Sequence, residues 1–291
     1  MKPIILYPCE YGNINKIDED YKFEQEIAQE HNFITYLFNY DDFIYGAKLK
    51  LNCGRLDTKN TIKVIYRGWM MNIEQYTRFY NELLKQSLEL INTPEEYKNT
   101  HYFVNSYNKL YNKLNKITPK TIWFEKDTSI DWNKVRNELG DKFIVKDYVK
   151  SVKGFDFPEY LEANMSDIEL DNLINKFIQL RGELYQGGIV LKQYVELDKS
   201  KGHTHEFRAF YSGNQTLCVY NNSNNKEDYI SKEITTLYKL TSLDSNFYTM
   251  DFARLENGEY TVIEIGDGQV SGLPSRKEAE LLYTSLESIK L

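Results

Sequence analysis

Met250-Asp251-Phe252-Ala253-Arg254-Leu255-Glu256-Asn257-Gly258-Glu259-Tyr260-Thr261-Val262-Ile263-Glu264-Ile265-Gly266 carries two strand-like runs separated by Asn257-Gly258. That dipeptide between alternating apolar runs is the strongest short-range sign of a two-residue hairpin turn. With those two residues as the loop, Asp251 stands directly opposite Glu264 on one face of the hairpin. Facing like charges roughly 5 Å apart destabilise a sheet, so a cation between them is expected. Mg²⁺ suits hard oxygen ligands and takes one or two protein carboxylates together with nucleotide phosphates. The competing reading is a hairpin whose acids lie in solvent or are neutralised by Arg254 or a lysine.

The rest of the chain bounds these readings. Its 291 residues suffice for one large domain or two or three packed subdomains. With 24 Tyr and 15 Phe, the core leans on rings. A formal charge of −7 argues against a broad nucleic-acid-binding face. Three widely spaced cysteines, Cys9, Cys53 and Cys218, offer neither a disulfide framework nor a zinc spacing. No apolar run approaches the length of a membrane span and no signal-peptide pattern opens the chain. A soluble cytoplasmic protein is the expectation.

Strands read at Pro3–Tyr7, Phe33–Phe38 and Ile62–Tyr66 alternate with helical stretches, an α/β layer. Helices are expected from Ile73 to Ile91 and from about Pro94 to Leu114, and Thr118-Pro119-Lys120-Thr121 reads as the main linker. Beyond it, Phe143–Tyr148 reads as a strand. Ser166-Asp167-Ile168-Glu169 has capping-box spacing and opens a helix carrying Ile168, Leu173, Ile174, Phe177 and Leu180. A strand from Ile189 to Val195, a hairpin around Gly213-Asn214, a helical run from Ile230 to Leu240, the Asp251/Glu264 hairpin and a last helix from Ser275 complete an α+β half.

Several polar residues interrupt apolar strands. Lys146 must reach water or an anion. The segment Lys150-Ser151-Val152-Lys153-Gly154 that follows it is a candidate phosphate cradle, without the glycines or the GK[ST] end of a P-loop. Lys192 and Gln193 intrude on another strand. Glu206 and Arg208, two apart, share a strand face, and the Arg fork suits bidentate oxyanions. Snorkelling lysines and an intra-sheet salt bridge are the structural alternatives at each position. Taken together, cations for phosphates and paired acids for a metal make a nucleotide site the economical explanation. His101, His203 and His205 read as surface or loop residues, and Cys218 as core.

In order and spacing, Tyr66-Arg67-Gly68-Trp69-Met70, Leu90-Ile91-Asn92-Thr93-Pro94-Glu95-Glu96-Tyr97, Thr118-Pro119-Lys120-Thr121 and Ile263-Glu264-Ile265-Gly266-Asp267-Gly268-Gln269-Val270-Ser271-Gly272-Leu273-Pro274 resemble an ATP-grasp enzyme. The likeness is to the clade named for its arginine and two lysines, and it covers nearly the whole chain. It implies an N-terminal α/β pre-grasp domain, residues 1–118, and an ATP-grasp domain, residues 119–291. The latter divides into a small lobe (119–185) and a C-terminal lobe (186–291), two α+β subdomains that sandwich the nucleotide.

The resemblance implies ATP and Mg²⁺ as cofactors and a ligase that joins a small-molecule or peptide carboxylate to an amine through an acyl phosphate. Alternatives are a phosphotransferase or a nucleotide-binding regulatory module. By resemblance, Lys146, Lys150, Lys153 and Gly154 meet the phosphates, and Lys192, Gln193, Tyr194 and Val195 form the adenine segment. Glu206 meets ribose, Arg208 faces the phosphates or acyl phosphate, and Asp251 and Glu264 hold magnesium. The family's asparagine two residues after the second acid is Gly266 here, which leaves Asp267, Gln269 or water to supply the oxygen. Arg67, ending a strand beside Gly68, is a candidate anchor for the substrate carboxylate; a structural role, with Trp69 packing between domains, is the alternative.

Overall fold

The computed structural model describes residues 3–54, 60–113, 117–152, 154, 157–222 and 243–289. The expected phosphate-loop Lys153 and the helical run from Ile230 to Leu240 lie outside the described residues.

The first layer is a parallel sheet ordered β3 (Thr35–Phe38), β1 (Ile4–Glu10), β4 (Ile62–Tyr66), β5 (Leu88–Leu90). β2 (Asn13–Ile17) folds back antiparallel on the end of β1. Six of the seven β1 residues are buried, the near-continuous apolar run that a parallel strand covered on both faces requires. One face packs on α2 (Tyr40–Ile44) and α3 (Ile73–Leu84). The other is covered by α1 (Lys22–Glu30) together with the last helix, α8 (Arg276–Glu287), so the chain's end closes its own N-terminal layer. The helix expected from Pro94 to Leu114 is instead two, α4 (Pro94–His101) and α5 (Phe103–Asn108), because Tyr102 between them is extended (φ −95°, ψ 104°).

The second sheet is antiparallel, ordered β6 (Thr121–Glu125), β9 (Gly188–Gln193), β7 (Lys142–Lys146), β8 (Leu161–Glu162). It packs on α6 (Trp132–Leu139) and α7 (Asp167–Arg181). β9 bonds between β6 and β7, so this sheet draws on residues on both sides of position 185. The capping box at Ser166 and Glu169 forms as expected. Leu170, Ile174 and Phe177 face the core, whereas Ile168 and Leu180 are exposed.

The third sheet, ordered β11 (Gln215–Asn222), β10 (Glu206–Ser212), β12 (Phe247–Arg254), β13 (Tyr260–Asp267), is antiparallel throughout. Phe103 and Tyr107 of α5 pack against it with Phe207, Met250 and Phe252. Among the described residues no helix is long and apolar enough to cross a membrane.

Candidate nucleotide site

The β12–β13 hairpin closes through a three-residue loop, not two. Leu255 N–H donates to the Glu259 carbonyl, and Gly258 sits at φ +88°, a conformation that costs a side-chain-bearing residue. That geometry alone would place Glu264 out of line with Asp251. A bulge restores the pairing: Phe252 faces Val262, Asp251 faces Glu264, and Ile263 is the extra residue. Its carbonyl accepts a 2.8 Å hydrogen bond from Lys192 Nζ of β9. The acid pair therefore forms as expected, but through a bulge that the turn signal does not reveal.

Around that pair the charges interlock. Arg208 forks onto Asp251, Nε to Oδ1 and Nη2 to Oδ2, both at 2.7 Å, and Asn222 Nδ2 adds a third donor at 3.0 Å. Lys150 Nζ donates to Glu264 Oε1 at 2.9 Å, and Lys146 Nζ stands 3.7 Å from the same oxygen. Burial alone would raise the Glu264 carboxyl; the ammoniums of Lys146 and Lys150 overcome it and hold the group ionised, well below the usual carboxylate range. Burial pushes Asp251 up, against the pull of the Arg208 fork. Of the neutralising groups named in the competing reading, a lysine, Lys150, meets Glu264, while Arg254 pairs with Asp198.

Lys150 owes its position to Asp147, a residue not singled out in the sequence. Asp147 is 1% exposed; its Oδ1 takes the N–H groups of Val149 and Lys150, and its Oδ2 takes Arg181 Nε. This Asx turn folds the chain after β7 so that Lys150 points at Glu264. Gly154, further along, adopts φ +75°.

Lys192 is 4% exposed and lies over the Phe103 ring at 4.5 Å. Burial, then the neighbouring Lys146, pushes its pKa well below the ordinary lysine value. Gln193 and Tyr194 leave β9 with their backbone N–H groups bonded to the carbonyls of Lys120 and Lys142. Glu206 shares the Arg208 face of β10 and accepts a hydrogen bond from Thr204 Oγ1 at 2.6 Å.

Lys150, Arg208, Asp251 and Glu264 line one cleft of about 100 Å³, together with Met70 and His101 from the N-terminal half. Gln193, Tyr194, Val195 and Glu206 do not line it.

Arg67 does not reach a substrate carboxylate. It is 1% exposed and forks onto Glu24 (Nε–Oε1 2.6 Å), with its remaining donors on the Gly268 and Ser271 carbonyls. Trp69, for its part, stays within the N-terminal layer, against Tyr21 and Asp18. Asp267 lines the same cleft as the acid pair, but its hydrogen bonds run inward. Three residues after Glu264, it falls on the opposite strand face, fully buried, accepting from Asn92 Nδ2, the Gln269 backbone N–H and Gln269 Nε2. Gln269 is likewise internal, donating to Tyr76 OH at 2.7 Å. Finally, His101 and His205 are buried, at 4% and 3% exposure, His101 in α4 and His205 in the loop that leads into β10. Cys218 is core, as expected.

At Gly266 a Cβ would stand 2.8 Å from Ser271 Oγ and 3.0 Å from Thr249 Oγ1. Where the resemblance leads to an asparagine, this chain packs a hydroxyl pair, itself bonded at 2.8 Å.

Among the described residues no group of three or more His, Cys, Asp or Glu side chains could hold a metal. Two facing carboxylates fit Mg²⁺, which completes its shell with phosphate and water, better than a metal that needs an all-protein cage.

A family model for the ATP-grasp domain, R2K clade family 3, matches residues 138–286. The chain belongs to the ATP-grasp family, in its R2K clade. Solved ATP-grasp structures share the fold over nearly the full length. The RimK domain ATP-grasp protein from Sphaerobacter thermophilus superposes with TM-score 0.61 at 12% identity, over 97% of this chain and 98% of that one. D-alanine–D-alanine ligase from Bacillus anthracis, solved with ATP, gives 0.58 at 13% identity over 99% and 95%. The ATP-grasp ligase PsnB, solved with a precursor variant, Mg and ADP, gives 0.59 at 13% identity over 99% and 98%. At these identities the likeness carries the fold. A search of curated proteins finds no match.

Proposed function

We propose that this ATP-grasp protein is an ATP- and Mg²⁺-dependent ligase that joins a carboxylate to an amine through an acyl phosphate. The observation that carries the reading is the charge-alternating cluster of Lys150, Glu264, Asp251 and Arg208 in one cleft, with Lys146 behind it, 3.7 Å from Glu264. Both acids are held by cations that a triphosphate can draw away, so nucleotide and metal would enter by exchange of partners. Asp251 and Glu264 would hold Mg²⁺, which supplies charge neutralisation at the phosphates. Lys146, Lys150 and Arg208 would stabilise charge on the transferred group. Lys192 and the Gln193–Val195 segment would meet the base, and Glu206 the ribose.

In the first step a substrate carboxylate oxygen attacks the γ-phosphorus, and the bond to the β–γ bridging oxygen breaks with ADP as leaving group. An amine nitrogen then attacks the acyl carbon, the C–O bond to phosphate breaks, inorganic phosphate leaves and the nitrogen releases a proton. No protein nucleophile is required. Residues 1–118 would serve as the pre-grasp domain, with the grasp formed by the two lobes that follow. The protein acts on small-molecule or peptide substrates in this reading, in the cytoplasm.

Hydroxylamine trapping tests it. With Mg·ATP and a panel of amino acids and short peptides, ADP release together with a hydroxamate supports the ligase. ADP release with a stable phosphorylated product supports a phosphotransferase instead. Nucleotide binding with no ADP release would leave a regulatory module.

A further inference from the structure

His101 closes α4 as its last residue and is 4% exposed. Its ring stacks between Tyr97 (centroids 4.7 Å, 22°) and Tyr102 (5.8 Å, 28°). Nε2 is buried and has no hydrogen-bond partner among the described residues. Leaving such a group unsatisfied typically costs about 1–3 kcal/mol. Histidines kept for packing alone normally spend that nitrogen on a carbonyl or hydroxyl. Here the residue lines the cleft shared by Lys150, Arg208, Asp251 and Glu264.

The neighbours say what could satisfy it. The three cleft acids already have partners: Asp251 in Arg208, Glu264 in Lys150 and Lys146, and Asp267 in Asn92 and Gln269. Burial and then the Lys150 ammonium push the His101 pKa down to about 3, so the ring is neutral in the ligand-free protein. In one tautomer a neutral imidazole presents Nε2–H, a donor that suits an anion arriving between Lys150 and Arg208.

We propose that His101 Nε2 donates a hydrogen bond to the terminal phosphoryl group of bound ATP, as the N-terminal half's own contact with the nucleotide. The inference rests on the nucleotide reading above and deepens it. The cleft it faces holds the phosphate and metal side chains, and the Gln193–Val195 segment does not line it, so the contact falls at the phosphate end. His101 thereby makes the N-terminal half distinguish a triphosphate from a diphosphate.

The test is titration calorimetry with Mg·AMP-PNP and Mg·ADP on wild type, His101→Phe and His101→Gln, with ¹⁵N spectra of the wild-type histidine rings. The expected result is an AMP-PNP affinity about tenfold weaker in His101→Phe, ADP affinity within twofold, and substantial recovery in His101→Gln, whose amide N–H can donate. The His101 ring signal should shift with AMP-PNP and not with ADP. Equal losses for both nucleotides, or no loss, overturn the inference, as does a ring signal indifferent to the γ-phosphate should His101→Phe fail to fold. A ring that responds only when a carboxylate substrate is added also overturns it, in favour of a substrate contact. Wild-type protein that binds neither nucleotide overturns the nucleotide reading itself.

Discussion

Lys192 Nζ donates to the Ile263 carbonyl across 2.8 Å, tying the second sheet to the one-residue bulge that aligns Asp251 with Glu264. The bulge frees that carbonyl from the ladder, and the lysine satisfies it. Lys192→Met removes the donor and leaves a carbonyl unpaired between two sheets, so stability should fall by about 1–3 kcal/mol. Urea unfolding measures this; a midpoint and slope equal to wild type would contradict the role given to the bulge.

Arg208 and Asp251 form a bidentate pair, with Asp251 4% exposed. Truncating one member of a buried ion pair strands the other charge, at about 3–5 kcal/mol. Arg208→Met should show a loss of that order, softened because burial already favours protonation of Asp251. Adding Asp251→Asn should recover much of it. A double variant no more stable than Arg208→Met would mean that the carboxylate is not what makes the arginine necessary.

Much of this was legible in the sequence, because strand alternation and charge placement are local signals. The strands β1, β4, β7, β9 and β10 and the capping box at Ser166 follow from runs of fewer than a dozen residues, whereas β5 (Leu88–Leu90) lies in the stretch that reads as a helix from Ile73 to Ile91. What the sequence concealed is set by distant partners. Arg67 reads as a strand-end anchor until α1 brings Glu24 against it and the Gly268 and Ser271 carbonyls close over it. His101 reads as a surface or loop residue until Lys150 and the third sheet enclose it. The acid pair emerged from a two-residue turn that the chain does not make, and the bulge at Ile263 compensated for that difference.

Arg67 is buried as deeply as the sheet beneath it, and its pKa is raised because Glu24 outweighs the cost of burial. Arg67→Met should destabilise by about 3–5 kcal/mol by leaving Glu24 without its cation. Near-wild-type thermal stability combined with lost activity would revive the substrate-anchor reading.

Asp267 supplies a pH signature. Burial raises its carboxyl to about 7, against the hydrogen bonds from Gln269 and Asn92. Between about pH 4 and 7 the folded protein keeps a proton that the unfolded chain has released, so this group's contribution to stability declines as pH rises. Asp267→Asn removes the titration. Its stability relative to wild type should therefore improve from pH 5 to pH 8, by up to a few kcal/mol. A constant difference across that range in urea unfolding would show that Asp267 is ionised throughout.

The central claim is that Asp251 and Glu264 hold Mg²⁺ beneath a nucleotide, and thermal unfolding with an ATP analogue tests it most directly. At a hundredfold excess over its dissociation constant a ligand stabilises by about 2.7 kcal/mol, a shift of a few degrees. Wild type should show that shift with the analogue and Mg²⁺ together, and less without the metal. Asp251→Asn/Glu264→Gln should lose the metal-dependent part. No shift with any nucleotide, or an equal shift in the double variant, would contradict the account.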